Sequence, residues 1–347
     1  MSINKDIRVM LCPSSSGPYL DNLSKEFRSL GTKVSFIPWF GKQMPYSIFC
    51  LILLRLRGFK ILHLNWIPFN RLWQLRIVKR ISNRLNIKMI WTIHNITPHV
   101  SQLGSEEMDE LGMRIMISWA DYGIVHSERV LKTIKTLYGN QLPLKIIHHG
   151  SYTDQVEIMD SQILRNKLGI SEDNFVILFL GPNRWNKGIR VYLESVSKLP
   201  EGFIGVIAGH CPIPGIYKLI SSYKEQYPDK FIIDLRYLSN IEISEYYAVS
   251  DILLMPFDQI TTSGTIIEAL SHARPVITTD KGDMYEWIRN GETGFLVDST
   301  DEIIAILSGL KREDARRMGV NGYILSSSRT WRDAAISYVD LYKMISD

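Results

Sequence analysis

Two short stretches in the second half of this 347-residue chain hold residue types suited to gripping a phosphate anion. The first, GPNRWNKGIRVYLESV, follows the apolar run FVILFL and sets Arg184 and Lys187 three positions apart just before a predicted helix. Two fixed cations beside helix N-terminal amides would meet a diphosphate with charge and N–H donors together. The second, MPFDQITTSGTIIEALSHARPVITTD, offers Thr261, Thr262, Ser263, Gly264 and Thr265 at another helix start, where small side chains leave backbone amides accessible to an anion. One turn further on, Glu268 stands where a carboxylate could accept hydrogen bonds from ribose hydroxyls. Each stretch alone also fits ordinary surface structure, a solvated basic loop in one case and a capped helix with Glu268 serving the macrodipole in the other. Two phosphate-ready loops in one half of the chain are harder to dismiss.

The elements that must position these loops follow from hydrophobic patterning. Short β-branched runs alternate with helical-period segments along the whole chain, the signature of βαβ units and parallel sheets. Six candidate strands run from Ile7–Cys12 to Lys145–His148, and six more from Phe175–Leu180 to Phe295–Val297. A polar stretch after Gly150 (SYTDQVEIMDSQ) interrupts the alternation. The expected fold class is therefore α/β, two doubly wound domains, residues 1–150 and 151–330, with a boundary near residue 150. In open α/β sheets ligands bind beyond the carboxyl ends of the strands, so the pattern predicts one inter-domain cleft. A last helix, Trp331 to Ile345, could pack back across the domain junction.

Composition narrows the function classes. Hydrophobic residues make up 45% and charged residues 22%, which excludes a disordered or fibrous chain. The net charge of +4 conceals an asymmetry: between Glu26 and Glu106 there is no Asp or Glu, while twelve Lys or Arg fall there, so the rest of the chain carries −8. Such a segment suggests an anionic partner. Within it, FNRLWQLRIVKRISNRLNIK spaces Leu72, Leu75, Ile77, Val78, Ile81 and Leu85 at near-helical intervals among Arg76, Lys79, Arg80 and Arg84. That pattern fits a solvated helix face, contact with an anionic bilayer, or nucleic acid; no nucleic-acid-binding motif accompanies it, so nucleic acid ranks last. Cys12, Cys50 and Cys211 show neither metal nor disulfide spacing, which suits a reducing cytoplasm. The start reads directly into a strand without a signal-peptide pattern, and the most apolar run, Ile48 to Leu54, falls short of a membrane span. The expectation is a cytoplasmic protein, peripheral on a membrane at most. His63, His94, His99 and His126 end different segments and the adjacent His148 and His149 diverge, so no metal site is expected.

Several collinear stretches resemble the group 1 type of GT-B nucleotide-sugar glycosyltransferases, generally retaining enzymes. They are GPNRWNKG, VIAG at Val206, LRYLSN at Leu235, SDILLMPF at Ser250, SGTIIEALSHARPVI and NGETGFLV at Asn290; in the first half, ILHLNW, WTIHNITPH, DYGIVHS and IIHHG. The resemblance implies that Arg184 and Lys187 hold the donor diphosphate and stabilise the leaving nucleotide. It implies phosphate binding by Thr262, Ser263, Gly264 and Thr265, ribose binding by Glu268, and contact of His94 with the donor sugar. The loop Ser14 to Gly17, with Ser16 and Gly17, would approach the phosphates from the opposite side. One departure stands out: a second glutamate common in the family eight positions before the ribose-binding one is Ile260 here. The chain also lacks an Asp-x-Asp pair, which argues for leaving-group stabilisation without a metal.

The resulting expectation is a hexosyltransferase acting from a UDP-sugar or GDP-sugar, with no further cofactor, on a glycan or lipid-linked saccharide in bacterial surface polysaccharide or glycoconjugate synthesis. Residues 27–105 would face an anionic membrane. Two alternatives share the fold: a catalytically silent binding subunit, kept open by Ile260, and a sugar-nucleotide epimerase, for which no extra cleft carboxylates are evident.

Overall fold

The computed structural model describes residues 6–14, 17–38, 41–67, 72–96, 106–157 and 159–346. The chain divides into two compact units, residues 1–150 with 329–347, and residues 151–328. In the first unit strands and helices alternate as β1 (Arg8–Cys12), α1 (Pro18–Ser29), β2 (Lys33–Phe36), α2 (Met44–Leu56), β3 (Ile61–Leu64), α3 (Leu72–Arg84), β4 (Lys88–Thr92), α4 (Glu106–Trp119), β5 (Tyr122–Val125), α5 (Glu128–Tyr138) and β6 (Leu144–Ile146). The strands form one parallel sheet in the order β2-β1-β3-β4-β5-β6. Its central strands are covered on both faces, which is why β3 is apolar apart from His63 and most of β4 is apolar too.

The second unit continues with α6 (Ser161–Leu168), β7 (Phe175–Leu180), α7 (Ile189–Ser197), β8 (Phe203–Ala208), α8 (Pro214–Gln226), β9 (Phe231–Asp234), α9 (Asn240–Val249), β10 (Ile252–Met255), α10 (Gly264–Ser271), β11 (Val276–Thr279), α11 (Met284–Trp287), β12 (Gly294–Val297), α12 (Thr300–Gly309) and α13 (Arg312–Ser327). Its parallel sheet runs β12-β11-β10-β7-β8-β9. The order reverses at β7, which pairs with β8 on one side and β10 on the other. Chain crossovers leave the sheet in opposite directions there, so the loops after β7 and β10 border one crevice. Each of the twelve strands falls within two residues of the run predicted for it.

The last helix, α14 (Trp331–Ser346), belongs to the first unit, where it packs along α1. Phe27 of α1 sits edge-on to Tyr338 and tilted against Tyr342. Gly150 makes room for the helix start, since a Cβ there would lie 2.4 Å from the Trp331 ring. Polar contacts fix the helix in register: Tyr342 and Thr92 hydroxyls flank His63 at 2.6 Å from Nδ1 and 2.7 Å from Nε2, and the Tyr338 and Tyr19 hydroxyls meet at 2.7 Å.

His63 is fully buried, and burial drives its pKa down to about 3; burial does the same to His149, and holds His94 well below the usual histidine range. All three are neutral in the folded protein near pH 7. In the unfolded chain they take up protons near their ordinary value, so between there and about pH 3 the unfolded state binds protons that the native state does not. Stability must fall with acidity over that window, by up to about 1.4 kcal/mol per pH unit for each such histidine. Urea unfolding at successive pH values from 7 to 4 should show this slope, and His63→Gln should reduce it by roughly the share of one histidine; an unchanged slope would remove His63 from the account.

Candidate active site

The loop after β7 in the second unit is built from backbone that favours glycine. After β7 the chain turns at Gly181 with φ of 98°, passes a 3-10 turn at Trp185–Lys187 and enters α7 through Gly188 at φ of 77°. A Cβ on Gly188 would lie 1.8 Å from the Pro256 carbonyl oxygen, so this glycine lets the loop after β7 rest directly on the loop after β10. Two further bonds tie them: Asp258 N–H donates to the Asn186 carbonyl at 2.9 Å, and the Asn186 side-chain amide donates to the Gln259 carbonyl at 3.3 Å. Asn183, fully buried, donates its amide to the Gly209 carbonyl at 2.8 Å and so fixes the β7 loop to the end of β8.

Lys187 and Thr265 converge on Gly181. A Cβ built there would lie 2.8 Å from Lys187 Nζ and 3.7 Å from Thr265 Oγ1, and the Lys187 ammonium donates to the Leu180 carbonyl at 3.2 Å. Arg184 lies exposed on the same loop. Helix α10 opens behind them. Ser263 is its N-cap and accepts the Ile266 N–H, while the N–H groups of Gly264 and Thr265 have no partner among the described residues. Two unpaired helix-start amides facing a lysine form a receptor for an anion. Thr262 is committed otherwise, its hydroxyl donating at 2.8 Å to buried Asp283. Ile260 packs against the apolar core of the unit.

Glu268 follows one turn into α10. The Tyr247 hydroxyl donates to the Thr265 carbonyl at 3.1 Å and lies 3.5 Å from Glu268 Oε2. Burial raises the Glu268 carboxyl to about 7, opposed by Tyr247 and by the charge of Lys187. Burial likewise lowers Lys187 to about 7, with repulsion from Arg184 adding to the drop and Glu268 opposing it. Asn183, Tyr247 and Asp283 escaped the sequence reading, because each acts through a residue distant in the chain and no local spacing marks it.

In the first unit His94 follows β4, where sequence placed it. It stacks on Trp66 at 4.3 Å and 8°, meets the Tyr19 ring edge-on, and its Nε2 lies 3.2 Å from Asn65 Oδ1. His126 and His149 each bond the backbone: Nδ1 of His126 meets the Ile147 carbonyl at 2.8 Å and Nδ1 of His149 the Gly150 carbonyl at 2.7 Å. Gly17 is described, at φ of 78° just before α1, whereas Ser16 and His99 lie outside the described residues. Among the described residues, no three His, Cys, Asp or Glu come together as a metal site.

With this geometry the comparisons with known proteins are specific. Residues 174–312 match the sequence profile of the Glycosyl transferases group 1 family. The second unit carries a group 1 glycosyl transferase domain. Alpha-monoglucosyldiacylglycerol synthase of Acholeplasma laidlawii is 25% identical over 181 residues, covering 51% of this chain and 44% of that protein. The chain spans under half the length of the first curated relatives it matches. In fold, sucrose-phosphate synthase of Thermosynechococcus elongatus superposes with a TM-score of 0.80 at 17% identity, covering 98% of this chain and 99% of the other. Anabaena HepE, solved in complex with UDP, superposes at 0.75 and 14% identity over 97% and 100% of the two chains. The fold is thus GT-B, two Rossmann-like units, as the sequence motifs implied. The glycosyl transferase domain holds Arg184, Lys187, Ser263, Gly264, Thr265 and Glu268, which the sequence had singled out.

The titration of Lys187 has a testable sign. Above pH 7 the free domain loses the Lys187 proton, and binding a diphosphate must restore it, so affinity falls as pH rises, approaching tenfold per pH unit. Calorimetry with a nucleoside diphosphate between about pH 8 and 9.5, where Glu268 is already ionised, should show this decline, and Lys187→Arg, which cannot lose its charge in that range, should abolish it.

Proposed function

We propose that this chain transfers a sugar from a nucleoside diphosphate donor to a hydroxyl of a glycan or lipid-linked saccharide. The observation that carries the reading is the meeting of Lys187, Thr265 and the unpaired α10 amides around Gly181, with Glu268 one turn behind. A diphosphate fits the cationic end of this receptor, and the carboxylate of Glu268 suits the ribose hydroxyls. The UDP held by HepE, a protein of the same fold, supports a uridine nucleotide, with GDP as the alternative.

In the reaction the bond between the sugar C1 and the diphosphate oxygen breaks, and negative charge grows on the departing phosphate. Arg184 and Lys187 take up that charge, acting most strongly where water is scarce. The acceptor oxygen bonds to C1 from the face the phosphate leaves, which gives retention, and its proton passes to the departing phosphate oxygen. Neutral His94, held by Trp66 and Asn65, offers a hydrogen-bonding group to the donor sugar. Arg184→Ala and Lys187→Ala should each lower donor hydrolysis and transfer at least a hundredfold, on the order of removing one preorganised donor of this kind. Near-normal turnover in both would leave the receptor geometry without a catalytic role.

The first unit carries the second part of the proposal, a bilayer-facing acceptor side in surface polysaccharide or glycoconjugate synthesis. Along α2, Tyr46, Phe49, Ile52 and Leu56 form one exposed apolar stripe, with Leu56 81% exposed. Helix α3 lies beside it, tied by Gln74 to the Gly41 carbonyl and by Arg55 to the Leu85 carbonyl. It exposes Trp73 together with Arg76, Arg80 and Arg84. No helix among the described residues is long and apolar enough to cross a membrane. Apolar side chains ringed by cations and free of acids suit the headgroup region of an anionic bilayer. Sedimentation should show binding to vesicles containing phosphatidylglycerol that weakens with salt and drops in a Phe49→Ser/Leu56→Ser variant; binding indifferent to lipid charge and salt would contradict it.

A further inference from the structure

At the end of the second sheet opposite the donor loops, a cavity of about 390 Å³ opens where β7, β10 and β11 begin. Its walls come from α6, the segment before β10, the turn before β11 and the first turn of α13, and four guanidinium groups line it: Arg165, Arg274, Arg312 and Arg316. Only one buried carboxylate answers them. Asp251 Oδ1 accepts from Arg312 at 2.9 Å, and its Oδ2 from Arg165 at 3.3 Å and from the Val176 N–H at 2.8 Å. Both of its oxygens are spent. Glu172 stands exposed at the rim, its carboxylate in no ion pair among the described residues, and contributes its carbonyl to Arg312.

The cationic excess falls on the other two arginines. Arg274 donates Nε to the Tyr247 carbonyl at 2.6 Å and Nη2 to the Ala248 carbonyl at 3.3 Å, leaving Nη1 without a partner among the described residues. Burial holds its pKa below the usual arginine range; Asp251 opposes that drop, and repulsion from Arg316 and Arg165 adds to it. Arg316 is exposed and makes no hydrogen bond or ion pair among the described residues. A fold that needed these arginines only as props for backbone carbonyls would have no reason to bring a fourth, unbonded cation to the same cavity. Planar guanidinium forks match phosphate oxygens in pairs, and the cavity is large enough for a phosphorylated small molecule.

We infer that this arginine-lined cavity is a second anion-binding site of the chain, built for a soluble phosphate or diphosphate group and separate from the donor receptor. It stands on residues that the transfer reaction does not use. Arg274 is a poor probe of it, because its partner Tyr247 also reaches Thr265 and Glu268 in the donor site. Arg316 has no such tie and can be replaced without breaking a contact.

The probe is inorganic pyrophosphate, titrated calorimetrically at constant ionic strength into the Arg184→Ala/Lys187→Ala protein, in which the donor receptor is disabled. Binding should persist there, and adding Arg316→Gln should weaken it at least fivefold. Adding Arg317→Gln, which removes a neighbouring exposed arginine paired with Asp314 and outside the cavity lining, should leave it unchanged. Absence of binding in the donor-disabled protein, no effect of Arg316→Gln, or an equal loss with Arg317→Gln would each overturn the assignment. A failed transfer reaction with pyrophosphate binding intact would instead count against the donor reading alone.

Discussion

The glycosyl transferase domain depends on a close approach of two backbones. Gly188 and the Pro256 carbonyl touch where any side chain would collide, and that contact brings the loop after β7 onto the loop after β10. The topology supplies the opportunity, since β7 and β10 are neighbours at the point where the sheet changes direction. The glycine turns it into a receptor. Once the loops are in contact, Lys187 and the start of α10 border the same space, and the lysine charge and the helix-start amides present the same positive sign to it.

This receptor is assembled against the preferences of the folded state. Lys187 has no ion-pair partner among the described residues, and it and Glu268 are each displaced by burial to about pH 7 from opposite sides. A lysine and a carboxyl group that both titrate near neutrality are costly to bury in their charged forms. A bound diphosphate would relieve the lysine, and ribose hydroxyls would favour the ionised carboxylate. Strongly displaced titrations of this kind cluster at functional sites, and here the two groups feel each other's charge.

The first unit solves a different problem. Its polar interior, His63 with Tyr342 and Thr92, Tyr338 with Tyr19, is closed by a helix from the far end of the chain. Burial keeps the His63 ring neutral, and each of its nitrogens finds a hydroxyl, one of them from Tyr342, which holds α14 in register. The histidines near the ends of β4, β5 and β6 are held by rings and carbonyls, so the one that sequence singled out, His94, is presented on a rigid support of Trp66 and Asn65.

What the amino-acid sequence determined by itself is periodic or local. Alternation of apolar runs with helical segments located all twelve strands and the change of unit near Gly150, because doubly covered parallel strands must be continuously apolar. The acid-free stretch from Phe27 to Ser105 is visible in any reading of charge, and the spacing of Arg184, Lys187 and the Thr-Thr-Ser-Gly-Thr run was enough to single out the loops after β7 and β10. Tertiary structure alone decided which loop touches which, that Thr262 spends its hydroxyl on Asp283, and that Tyr247 stands behind Glu268. It alone returned α14 to the first unit and gathered Arg165, Arg274, Arg312 and Arg316, spread over some 150 positions, around a single Asp251. The physical reason is the same in each case: short-range pattern fixes which face of an element is apolar, whereas hydrogen bonds and charge depend on distances that exist only after the sheets have formed.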